Sequence, residues 1–134
     1  MRDLKFRCWH KHIDWSKNGK PLEPGFEYDF WINSKGEVSF PEGGWDIQGT
    51  ENKDNYVLQQ FTGLKDKNGK DIYEGDIVKF KIIFTSGTDE VVFNEGRFEL
   101  KNISIGGEKR SVDNIANYCE VVGNIFENPE LLTN

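Results

Sequence analysis

The sequence predicts a mainly β fold. We expect an N-terminal strand and hairpin arm, then a small SH3-like β-barrel, with short helical segments near the C-terminus. Three observations carry this. Ala and Met occur once each in 134 residues, so long helices lack some of their best formers. Fourteen glycines, with frequent Asn and Asp, punctuate short runs rich in Val, Ile, Phe and Tyr. Those runs recur at roughly 8–12-residue spacing, the rhythm of a small barrel or sandwich. The length fits one domain, which divides into an arm and loop over 1–55 and a compact half over 56–134.

The elements follow in order. "LKFRCWH" alternates, with Leu4, Phe6, Cys8 and His10 on one face and Lys5, Arg7 and Trp9 on the other. The polar "WSKNGKPLEPG" ends that strand as a turn. "FEYDFWIN" and "EVSF" flank "SKG" as a hairpin, and residues 41–55 have the composition of an exposed loop. "YVLQQFTG" is a strand, and Asn68-Gly69 marks a tight turn because a type I′ turn needs positive φ at both central residues. "IYEGDIVKFKIIF" turns at Gly75 and then extends. "TSGTD" reads as another turn, and "EVVFNEGRFELKN" as strand, Asn-Glu-Gly turn and strand. "SVDNIAN" forms one or two helical turns capped by Ser111 or Asp113. "YCEVVGNIF" is the last strand, and Asn128-Pro129 opens a short C-terminal helix.

Aromatic residues reach 13%, enough burial to oppose disorder, and the net charge of −6 opposes general duplex binding. Charge is uneven, however: residues 1–22 carry six Lys/Arg against two Asp. There Lys5, Arg7, Trp9, Lys11 and Trp15 interleave cations with aromatics, the chemistry that single-strand binders use for stacking and backbone tracking. A packed strand with outward cations explains the same residues. Cys8 and Cys119 imply no disulfide framework and suit reduced thiols in a cytoplasmic setting. No apolar leader core or membrane-length run is visible.

Four carboxylates crowd "LKDKNGKDIYEGDIVKF", and their spacing is tested against known chemistry. A calcium loop starting at Asp66 would need glycine at its sixth position, where Asp71 stands. A phosphate loop needs four residues between its glycines; Gly63 and Gly69 are separated by five, and Asp71 follows Lys70 where a hydroxyl belongs. A facing acid pair is the remaining catalytic option, but lysines interleave the acids as on a solvated face. Gly63, Asp66, Asn68, Gly69, Asp71, Glu74, Gly75 and Asp76 are therefore read as a structural turn motif, with no catalytic residue, metal or cofactor assigned. Cys8, His10 and His12 fall on one strand face at alternate positions, but one strand offers a line of ligands rather than a tetrahedral cup.

"LKFRCW", "LQQFTGLKDKNGKDIYEGDIVKF" and "VVGNIFENPELL", in that order, resemble the YopX family of phage and prophage proteins. The resemblance spans both ends and the centre of the chain. It implies the cytoplasm of a bacterial host, and it brings no reaction and no catalytic or binding residues. Cys8 and His10 stand where the family more usually has a small residue and an acid, which weakens a zinc reading further. The expected role is a non-enzymatic accessory module that self-associates or binds an unidentified protein. The competing role is a nucleic-acid-binding regulator using the N-terminal arm.

Overall fold

The computed structural model describes residues 4–10, 13–15, 20–22, 25–28, 30–35, 38–39 and 56–133. The fold is mainly β, and the chain divides into two compact units. One runs from Phe6 to Gln59; the other holds Met1–Lys5 with Gln60–Asn134. The expected loop over 41–55 lies outside the described residues.

In the first unit, β1 (Phe6–His10) pairs antiparallel with β4 (Gly25–Glu27), setting Trp9 opposite Phe26. Between them in sequence, β2 (Ile13–Trp15) and β3 (Lys20–Leu22) form a hairpin, so part of the stretch expected to be turn is strand. The expected hairpin around residues 34–36 joins β5 (Trp31–Ile32) and β6 (Val38–Ser39). Strand β1 is covered on both faces: Arg7, Cys8 and Trp9 are all buried. The expected strand is present, but its burial does not alternate, and Arg7, expected outward, is covered. Trp9 meets Phe26 edge-on at 5.0 Å, and the Arg7 guanidinium lies 4.1 Å over the same ring. One ring thus holds an indole and a cation, a desolvated cation–π contact of about 2 kcal/mol. Leu4, expected on the apolar face, is exposed.

The second unit is built on β7 (Tyr56–Lys65), which enters it at Gln60, and on β8 (Asp71–Tyr73), paired Phe61 to Tyr73 and Lys65 to Asp71. A curled sheet follows in the order β11 (Arg97–Leu100), β10 (Thr85–Asn94), β9 (Asp76–Ile82), β12 (Cys119–Asn124), antiparallel throughout. The core packs against this sheet: Val78, Phe80, Val91, Leu100 and Cys119 from its strands are buried together with Ile72 of β8. Burying a side chain the size of Phe80 contributes about 2–3 kcal/mol.

Two turns show what glycine does here. Between β10 and β11, Glu95 (φ 50°) and Gly96 (φ 83°) form the tight turn that the Asn-Glu-Gly string predicts. "TSGTD" is not a turn. Strand β10 begins at Thr85, and the reversal from β9 is made by Ile83 and Phe84. Gly87 sits mid-strand because a Cβ there would lie 2.7 Å from Ile103 Cδ1; it serves close packing rather than reversal.

The helical expectations become 3-10 turns over Val112–Asn114, Ala116–Tyr118 and Pro129–Leu132. Ser111 and Asn128 stand at N-cap positions without a side-chain cap bond, and Asp113 lies inside the first turn. Asn128 Oδ1 instead accepts from the Asn124 N–H at 3.3 Å.

Gly96→Ala should lower stability by about 1 kcal/mol, read as a shifted urea midpoint. No atom lies within 4 Å of the new Cβ, so left-handed backbone strain is the whole cost. An unchanged midpoint would refute the turn assignment.

Candidate functional site

Seven of the eight residues of the turn motif form or flank two turns in the second unit; Gly63 instead lies inside β7, where the register with β8 shifts between Phe61 and Lys65. Gly63, Gly69 and Gly75 all have positive φ. The first turn is organised by Asp66, only 6% exposed. Its Oδ1 accepts from the Asn68 and Lys70 amides at 2.8 and 2.9 Å, which closes the loop. Its Oδ2 accepts from the Val121 amide at 2.9 Å, 55 residues away. The Lys67 N–H donates to the Cys119 carbonyl at 2.9 Å beside it. Strand β12 ends the sheet, so these two bonds engage backbone groups on its outer edge.

Burial pushes the Asp66 carboxyl up, but the amides of Val121, Lys70 and Asn68 together hold it below the ordinary value of 3.8. Such a carboxylate is an acceptor with its lone pairs in use. Asp71 is bound by Lys65 Nζ at 2.8 Å and Lys5 Nζ at 3.1 Å. The Lys65 bond, assisted by Lys5, lowers its pKa against a smaller effect of burial.

The second turn uses the other two acids. Glu74 Oε1 accepts from the Gln60 amide at 2.8 Å, and buried Asp76 accepts from the Tyr73 amide at 2.8 Å. The four acids therefore anchor separate backbone sites or lysines. Chemically, the motif fixes turns and tethers an edge strand.

Sequence reading missed a fifth acid of this kind. Asp89, 1% exposed, accepts from the amides of Asn102 and Ile103 at 2.7 Å each, and from Asn102 Nδ2 at 3.0 Å. It holds the segment after β11 against β10. The signal was there: Asp89 shares an inward-facing register with Val91, and a buried acid needs donors.

The proposed nucleic-acid residues are placed differently from one another. Arg7 Nε donates to Gln59 Oε1 at 2.9 Å, and Arg7 and Trp9 are buried against Phe26. Lys5 lies 4.8 Å from the Phe61 ring centre and pairs with Asp71. Lys11 lies outside the described residues, and of Trp15 only its place in β2 is described. Cys8 and Cys119 are both buried thiols, whereas His12 and the His10 side chain lie outside the described residues. Burial first, and the neighbouring Asp66 charge second, push the Cys119 thiol up to about 11. Among the described residues no group of three His, Cys, Asp or Glu is placed to hold a metal ion, and no helix is long and apolar enough to cross a membrane.

Two surface features remain. An open groove of about 530 Å3 runs along β10 and β11. Its polar groups are mutually engaged: Glu99 takes Asn94 Nδ2 at 2.9 Å and Arg97 Nε at 3.0 Å, and Lys109 Nζ donates to the Lys101 carbonyl at 2.6 Å. The second feature is the β9–β10 hairpin tip, where Ile83 is 91% and Phe84 95% exposed. No turn geometry requires two large apolar side chains there.

The family model described as YopX protein matches residues 5–133. The chain belongs to the YopX family. It is also similar to the crystal structure of protein EF1440 from Enterococcus faecalis, at 29% identity, over 98% of this chain and 99% of that one, with a TM-score of 0.58. No match was found among curated proteins. The segment Leu64–Phe80 lies within the matched range, and its geometry accounts for its acids and glycines as turn and tether residues.

Asp66→Ala should cost about 3 kcal/mol, since it leaves three backbone amides without their charged acceptor. Asp66→Asn should also destabilise, because an amide cannot accept on both sides. With a folded pKa below 3.8, Asp66 stabilises the protein above that pH, and the contribution disappears as pH falls through the folded value. The acid limb of stability against pH should therefore be shallower in Asp66→Asn; an identical limb would contradict the tether. Cys119 should resist thiol reagents in the native state at pH 8 and react on unfolding, whereas rapid native labelling would contradict its burial.

Proposed function

We propose that this YopX-family protein is a non-enzymatic interaction module that binds protein through the β9–β10 hairpin tip. The observation that carries the reading is the pair Ile83 and Phe84, almost wholly exposed on a two-residue turn. Exposing two such side chains is unfavourable unless a partner covers them, at about 25 cal/mol for each Å2 left in water. Two large side chains projecting from a hairpin tip suit an apolar surface on another protein rather than a small molecule. Supporting the non-enzymatic reading, the acids of the central motif are held by backbone amides and lysines, and the Cys119 thiol is protonated at neutral pH.

The finer setting belongs to the same proposal. The curled sheet is read as the major part of an SH3-like barrel, and the protein as a phage or prophage accessory acting in the bacterial cytoplasm. The N-terminal arm offers less to nucleic acid than its composition suggested, since Arg7 and Trp9 are buried.

The test is capture from nuclease-treated lysate of a phage-carrying bacterial host, using tagged wild type and Phe84→Ser. An exposed substitution should move stability by no more than about 0.5 kcal/mol. Wild type should retain a protein, untagged copies of the chain included, that Phe84→Ser loses. Equal retention by both proteins, or retention of nucleic acid alone, would overturn the reading.

A further inference from the structure

The hairpin tip lies at one end of the β9–β12 pair, and a surface of opposite charge lies at the other. Strand β9 reaches the tip through Ile82, which pairs with Thr85; at its far end Asp76 pairs with Asn124. The chain then continues from Asn124 into the C-terminal 3-10 turn, which packs on β10.

The two ends differ in charge as well as place. From Ile77 to Thr88 the hairpin carries Lys79 and Lys81 and no acid, and both lysines are exposed. Lys67 adds a third cation, and Glu120, opposite Lys79 across the β9–β12 pair, lies 3.8 Å from it. From Asn124, at the far end of β12, to Asn134 the chain carries Glu127 and Glu130 and no Lys or Arg. There Leu131 is 40% exposed, between exposed Glu127 and Glu130 on one side and Thr133 on the other. One end is therefore apolar and basic, and the other is apolar and acidic.

We propose that the occupant of the hairpin tip is a second copy of this chain, docked head-to-tail: Ile83 and Phe84 of one copy against the Leu131 surface of the next. Lys79 and Lys81 then face Glu127 and Glu130. This rests on the reading of the tip as a protein-binding surface and names its partner. Like charges would oppose both tip-to-tip and tail-to-tail docking, so the complementary arrangement is the favoured one. A head-to-tail contact is heterologous, and repeated copies close a ring or extend a filament. The charge contribution is exposed, so association weakens as salt rises above physiological strength.

Light scattering after size exclusion tests it with three proteins. Wild type should assemble beyond a dimer, less so in high salt. Phe84→Ser and a Glu130→Lys, Leu131→Ser variant should each be monomeric, with urea midpoints close to wild type. An equimolar mixture of the two should form a dimer, because the intact tip of one meets the intact tail of the other. As a second tip variant that keeps the apolar residues, Lys79→Glu with Lys81→Glu should also be monomeric and pair with the tail variant.

A tail variant that assembles like wild type, or a mixture that stays monomeric, would overturn the head-to-tail arrangement. Monomeric wild type at its highest soluble concentration would overturn self-docking altogether. Capture of a different protein by the same tip would then leave the broader binding role standing, so the two failures are distinguishable.

Discussion

The carboxylate of Asp66 is the interaction on which the second unit depends. Three backbone amides converge on it, two from its own turn and one from the outer edge of β12. Without this tether the Lys67–Cys119 backbone bond would lose the turn geometry that aims it. The outer edge of β12 would then expose backbone donors and acceptors beside a core containing Phe80, Val78 and Cys119. An unpaired sheet edge is a site of wrong pairing. The negative charge suits this role because a charged acceptor bonds amides more strongly than a neutral one.

The same device recurs along the chain. Asp76 closes the turn into β9, Asp89 pins the segment after β11, and Asn124 Oδ1 accepts from the Phe126 and Glu127 amides after β12. Short polar side chains satisfy backbone donors where strands end and no ladder can. This explains how a chain with 30% charged residues keeps several acids buried. It also separates the surface into parts committed to folding and parts available for contact, and the hairpin tip belongs to the second group.

Most strands were legible because period-two alternation and turn glycines are local signals. The Asn-Glu-Gly turn and the strand at Tyr56–Lys65 are of this kind. What escaped depended on distant partners. Arg7 looked like an outward cation because Phe26, which covers it, comes from another strand. Gly87 looked like a turn because its reason, Ile103, lies sixteen residues away. Asp66 was recognised as a turn former, but its bond to Val121 spans 55 residues and no local pattern encodes it. The hairpin tip was hidden for a related reason: Ile83 and Phe84 read as a continuation of an apolar strand, and only the pairing of Ile82 with Thr85 turns them outward.

The most direct test of the Asp66 tether is native-state hydrogen exchange at the Val121 amide, in wild type and in Asp66→Asn. If the carboxylate holds the edge, the wild-type amide exchanges only through large-scale opening, alongside the β9 amides in the core. The Asn variant then exchanges it much faster while the β9 amides keep most of their protection. Rapid exchange at Val121 in wild type would contradict the tether, because an edge amide bonded to a buried carboxylate cannot be open to water.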